Sequence, residues 1–109
     1  MKKYHRTAVL KAARKAERHL HYFEEKSKDK RPRKAIEDAR AWTRGEIKCG
    51  EARKAALNAH AAARKTSNLV ARYAARAAGH AAATCHVPTH IVGVDYYLGK
   101  LKDELKKEK

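Results

Sequence analysis

Apolar residues recur at spacings of three and four along most of this chain, the periodicity of helices that each bury one face. Val9, Ala12, Ala13, Ala16, Leu20 and Phe23 share one side of a predicted first helix from about Tyr4 to Glu25. The charged run Lys26–Arg31 breaks the pattern. Pro32, tolerated in a first helical turn because its missing N–H would have no partner there, then opens a short second helix with Ala35, Ala39 and Trp42 on one side. Gly45 stands where a left-handed residue would end it. A third helix, from Glu51 to about Lys65, turns Ala52, Ala55, Ala56, Ala59 and Ala63 inward and carries His60 at the border of that face. Its early Glu51 and late Arg64 and Lys65 suit the helix dipole.

Ser67 is the predicted N-cap of a fourth helix in which Gly79 is the one strong breaker between Leu69 and His86. Val70, Tyr73, Ala74, Ala77 and Ala81 line one side, and alanine covers much of the other, leaving only Arg72 and Arg76 as charges. A helix apolar nearly all round must be covered from several directions, so this one is predicted to be central. Pro88 disfavours helical dihedrals at Val87 and is itself compatible with a first turn, so the HVPT corner, His86 to Thr89, turns the chain into a last helix. Ile91, Val94, Leu98, Leu101 and Leu105 form its seam.

Together these elements predict an all-α fold, a compact bundle of about five helices around an alanine-rich central antiparallel hairpin made by the third and fourth. The 109 residues are expected to form a single helical domain, with 1–3 and 106–109 frayed. Twenty-two alanines supply nearly half of the hydrophobic residues, which calls for helices packed at close range, with Trp42, Phe23 and the tyrosines as wedges between them.

Charge changes the picture from a generic bundle to one that favours anionic partners. The net charge is +15, and residues 1–34 carry +9 of it. Lys11, Arg14, Lys15 and Arg18 fall on the polar face of the first helix, and Arg31, Arg33 and Lys34 lie in a second cluster spanning residues 28–34. Both are candidate partner-binding groups. They suit a protein with an acidic surface, and the alternative use is nucleic-acid binding through phosphate contacts. The N-terminus breaks any apolar run after three residues, so no secretory segment is read there. Three histidines, a proline and two glycines interrupt the uncharged stretch 77–94, so no membrane partner is expected.

Catalytic chemistry has little to build on. No HExxH, paired CxxC, phosphate-binding glycine loop or nucleophile elbow occurs, and neither an enzyme nor a cofactor is predicted. His80, Cys85, His86 and His90 are the candidates for a metal set, since imidazole and thiolate suit zinc, but their spacing across the proline corner gives no regular ligand pattern and no metal is expected. His60 and His80 are read as polar groups satisfied near the core. Asp95, the one acid between Glu51 and Asp103, is expected to pair with Arg72, Arg76 or a histidine. Of Tyr96 and Tyr97, one ring should pack between helices and the other remain exposed. Cys49 and Cys85 stand alone in the sequence, which fits a reduced, cytoplasmic setting.

Four runs carry a resemblance: RPRKAIEDARAWTRGEI (Arg31–Ile47), GEARKAALNAHAAAR (Gly50–Arg64), AARAAGHAAATCHVPTH (Ala74–His90) and the tyrosine pair followed by Leu98. Together they resemble the small all-helical immunity proteins of bacterial polymorphic toxin systems, the group labelled immunity protein five-like, and the first helix, ending in HLHYFEE, fits that group's opening helix. The resemblance implies a cytoplasmic protein that binds and blocks a cognate toxin domain without catalysis. Immunity proteins that mask nucleases are commonly acidic; the +15 charge here implies instead an acidic partner or binding through a local patch.

Overall fold

The computed structural model describes residues 3–108. Among them there is no strand, and the helical segments are α1 (Lys3–His19), α2 (His21–Glu24), α3 (Arg31–Thr43), α4 (Cys49–Arg64), α5 (Leu69–Ala83) and α6 (His90–Lys107). The fold is the all-α bundle expected, with one adjustment. The first helix is interrupted at Leu20, where the pairing tightens to i→i−3: the Leu20 N–H donates to the Glu17 carbonyl at 3.2 Å and the Phe23 N–H to the Leu20 carbonyl at 2.9 Å. Leu20 and Phe23 remain inside, at 0% and 1% exposure, so the tighter turn re-aims the chain without losing the apolar face.

α5 is the central helix. It packs against every other helix, α4 and α6 most extensively. Val70, Ala71, Ala74, Ala75, Ala77, Ala78, Gly79, Ala81 and Ala82 are all buried, so it is covered nearly all round. Methyl side chains on both α4 and α5 let these helices approach closely. The larger buried side chains, Phe23, Leu20, Ile36, Leu101, Val9 and Val94, come from the outer helices and fill what the alanines leave open. Trp42, Tyr73 and Tyr97 pack at the margin of this core, whereas Tyr4 and Tyr96 are exposed.

The helix ends follow the local chemistry. Gly45, at φ +75°, closes α3: its N–H donates to the Trp42 carbonyl at 3.0 Å and that of Glu46 to the Ala41 carbonyl at 3.0 Å, the paired bonds of a Schellman cap. The cap of α5 is Asn68 and not Ser67. Asn68 is extended (φ −75°, ψ 118°) and its side-chain oxygen accepts from the Ala71 N–H at 2.9 Å, which leaves Ser67 outside the helix. Of the ends expected to fray, residues 1, 2 and 109 lie outside the described residues; Lys3 starts α1, and α6 continues to Lys107.

The cysteines correct the sequence reading. Cys49, the first residue of α4, and Cys85, just past α5, are joined in a disulfide with Cα atoms 5.8 Å apart. The antiparallel hairpin is the cause, because it brings the start of α4 alongside the end of α5. Nearby, the His5 Nε2–H reaches the Thr84 carbonyl at 3.0 Å, and buried Thr84 donates its hydroxyl to the His80 carbonyl at 2.8 Å. The α5–α6 corner is thus tied to both α4 and α1. No helix among the described residues is long and apolar enough to cross a membrane.

Candidate functional site

The predicted basic groups divide once the carboxylates are placed. Arg31 holds Asp29 at 2.7 Å, Lys34 holds Asp38 at 2.9 Å, and Arg33 bridges Glu24 at 2.6 Å and Glu17 at 3.1 Å, while Arg40 takes the other Glu17 oxygen at 2.8 Å. The Arg40 and Arg33 hydrogen bonds hold the Glu17 carboxyl below its ordinary range, and Arg33 and Arg31 do the same for Glu24 and Asp29. Arg31 thus ties the linker to the start of α3, and Arg33 and Arg40 fasten α3 to α2 and the end of α1. On α1 itself, Lys15 is paired with Asp95 at 2.9 Å, whereas Lys11, Arg14 and Arg18 are exposed and hold no carboxylate among the described residues. Asp95 therefore meets α1 and not Arg72, Arg76 or a histidine. α6 lies along α1 and presents Asp95 outward, and the Arg72 guanidinium instead donates to the Thr66 carbonyl at 2.8 and 3.2 Å.

The histidines are brought together more closely than their spacing indicated. His60 on α4, His80 on α5 and His90 on α6 form a row: ring centroids lie 5.1 Å apart for His60 and His80 and 5.2 Å for His80 and His90. His80 and His90 share one hydrogen bond between their Nδ1 atoms at 3.1 Å, with the donor set by the tautomer. Tyr97 stacks on His80 at 5.4 Å, while Tyr96 stays outside, 57% exposed. Two glycines make room for the row. A Cβ on Gly79 would fall 2.7 Å from the His60 ring, and one on Gly93 would run into the His80 ring. Burial, then the neighbouring His80, pushes His60 down to about 4, and burial followed by His90 lowers His80, so both are neutral at pH 7. His80 thus finds its partner in another histidine, not in a carbonyl or a tyrosine, and the His60 Nδ1 is buried with no hydrogen-bond partner among the described residues.

This row backs onto a surface cleft of about 280 Å³. Arg53, Ala56, Leu57 and His60, at helical spacings of three and four along α4, form one wall, and Ala83, His86 and His90 form the other. Of the metal candidates, Cys85 is committed to the disulfide and His86 is exposed at the corner, so only His80 and His90 meet directly. Among the described residues, no three His, Cys, Asp or Glu side chains converge on a point suited to a metal ion. A second shallow groove lies between α1 and α6, lined by Lys15, Arg18, His19, Asp95, Leu98 and Lys102.

A small all-helical protein with an alanine-packed interior and its polar chemistry gathered in shallow surface grooves is the class these observations define. The chain belongs to the family described as "Imm-5 like putative immunity protein", whose model matches residues 1–108 and so takes in the first helix as well as the four resembling runs. No curated protein and no solved structure matches the chain.

Proposed function

We propose that this protein binds a cognate toxin domain and neutralises it by protein–protein contact, without catalysis of its own. Family membership over residues 1–108 carries the reading. Charge supports an acidic partner surface. Lys11, Arg14 and Arg18, exposed and without carboxylates of their own, add to a +15 field that accelerates encounter with an anionic surface. Arg31, Arg33 and Lys34 already hold acids within the fold, so contact through them would have to break those pairs. The same pairing leaves fewer cations for a phosphate backbone than the sequence offered, which favours a protein partner over nucleic acid.

The test is stoichiometric inhibition. The toxin domain encoded beside this gene should lose activity at one equivalent of purified protein and co-elute with it; an adjacent product that neither binds nor is inhibited refutes the reading. Salt separates the nucleic-acid alternative. Phosphate binding falls log-linearly and steeply with salt, whereas a protein interface with an apolar centre keeps most of its equilibrium affinity. We place this action in the cytoplasm, where the Cys49–Cys85 bond would be open to reduction by the thiol pool. Thiol counting after an acid quench of intact cells reports that state directly, and a fully oxidised pair would point to an oxidising compartment instead.

A further inference from the structure

We infer that the cleft between α4 and the α5–α6 corner is the anchor of the interface, built to take one carboxylate side chain of the protein partner. This rests on the binding role proposed above and adds the chemistry of the contact.

Four observations lead there. First, the cleft is lined by Arg53, His60, His86 and His90 with no acid among them, and Arg53 is exposed with no carboxylate partner among the described residues. Second, Leu57 at its lip is 69% exposed, the most exposed of the large hydrophobic side chains among the described residues, and Ala56 and Ala83 add apolar surface to the walls beside it. An apolar lip around one cation is the pattern of a desolvated anchor pocket, where a charge-assisted hydrogen bond gains most. Third, His90 commits Nδ1 to His80 and leaves Nε2 as the nitrogen free to meet an entering group. An anion selects one tautomer of the pair: His80 donates from Nδ1 to His90, and His90 donates from Nε2–H to the carboxylate. The histidine pair thus aims a donor at the entering group through one tautomer. Fourth, Cys49 and Cys85 lie at the junction of the two walls, one helical turn before Arg53 and next to His86, so while their disulfide is intact it braces the cleft before anything binds.

A carboxylate on a protein side chain fits better than a phosphodiester chain. A nucleic-acid backbone needs a track of several cations, and the lining of this cleft supplies one guanidinium beside three histidines, while the basic row Lys11, Arg14 and Arg18 lies apart from it on α1.

Two titrations test the inference. The first uses the full-length protein and N-acetylglutamate N-methylamide, followed by NMR at the Arg53 side chain and the His86 and His90 rings. Saturable shifts are expected, at least fivefold weaker in Arg53→Gln and absent with the neutral glutamine analogue. No saturable shift, equal shifts from the analogue, or displacement of the probe by a single-stranded oligonucleotide that binds more tightly would overturn it. The second measures dissociation of the adjacent toxin domain. Arg53→Gln and Leu57→Asp should each speed dissociation at least tenfold, while Lys11→Gln/Arg14→Gln/Arg18→Gln should slow association and leave dissociation within twofold. Arg53 and Leu57 are exposed, so both variants should keep the parent's melting temperature, which is measured alongside. A toxin that binds with dissociation unchanged in the cleft variants sinks the anchor and leaves the binding role standing. A toxin that does not bind the wild type sinks the role, and the probe titration alone then decides whether the cleft takes carboxylates.

Discussion

Gly79→Ala is the substitution that tests the packing around α5 most directly. Replacing a glycine inside a helix by alanine ordinarily stabilises by about 1 kcal/mol, because alanine has less backbone freedom to lose on folding. Here the new Cβ would stand 2.7 Å from the His60 Cε1 and Nε2 atoms and 3.1 Å from Cδ2. His80 packs edge-on against the ring at 5.1 Å and the His60 Nδ1 is buried, so the ring can yield only toward the cleft that it lines. Overpacking of this kind costs about 1–3 kcal/mol, so the net effect is a destabilisation of about 0–2 kcal/mol. Gly99→Ala in α6 is the internal comparison: nothing lies within 4 Å of its Cβ, and the helix-propensity gain of about 0.5–1 kcal/mol should appear in full. The two variants should therefore differ by about 1–3 kcal/mol in urea unfolding followed by far-UV circular dichroism, about 4 °C or more in melting temperature. A Gly79→Ala protein as stable as Gly99→Ala would refute the reasoning and show that α4 and α5 are not in close contact at His60. Adding His60→Ala should recover the loss, because the clash partner is gone.

The remaining predictions concern charge, redox state and pH. Between pH 6.5 and 4 stability should fall by about 1–2 kcal/mol, a figure already reduced for the solvent that reaches the ring: the folded His60 is pushed down to about 4, so the unfolded chain takes up the proton first and acid favours it. His60→Gln should make that part of the curve shallower, leaving the contribution of His80, which burial also lowers, and the loss below about pH 4.5 that comes from the carboxyls of Glu17, Glu24 and Asp29, all lowered by arginine. Reduction, or Cys49→Ser/Cys85→Ser, opens a loop with sequence separation 36 and should cost about 2–4 kcal/mol, read from urea midpoints with and without dithiothreitol. Glu17→Gln removes the acid shared by Arg33 and Arg40 and should cost about 0.5–1.5 kcal/mol, whereas Asp95→Asn should stay within about 0.5 kcal/mol because that side chain is 57% exposed; thermal melts at low and high salt would separate the two.

Periodicity alone determined which residues of each helix face inward. The apolar positions Val9, Ala12, Ala13, Ala16, Leu20 and Phe23 of the first helix, Ala52, Ala55, Ala56, Ala59 and Ala63 of α4, and Val94, Leu98 and Leu101 of α6 are all buried, because a helix with one apolar stripe has one way to hide it. The central place of α5 was equally legible, since a helix with methyl groups on every side needs neighbours on every side. Local chemistry was nearly as informative: Gly45 closes α3 as its position indicated, and the α5 cap moved by one residue because Asn68, nearer the helix, reaches the Ala71 N–H first.

Tertiary structure alone decided which charges and rings meet. Lys15 and Asp95 are 80 residues apart in sequence, and only the docking of α6 along α1 joins them. His60, His80 and His90 come from three different helices, and the space they share is set by what Gly79 and Gly93 lack. The disulfide lies between these cases. Cys49 and Cys85 are each eighteen residues from Ser67, and a hairpin folding at that corner must bring them face to face; the spacing was visible, but it acquires meaning only once the two helices are known to run antiparallel. A side chain's own helix fixes its direction, and burial periodicity records that. Its partner depends on how helices far apart in sequence pack, which no local pattern contains.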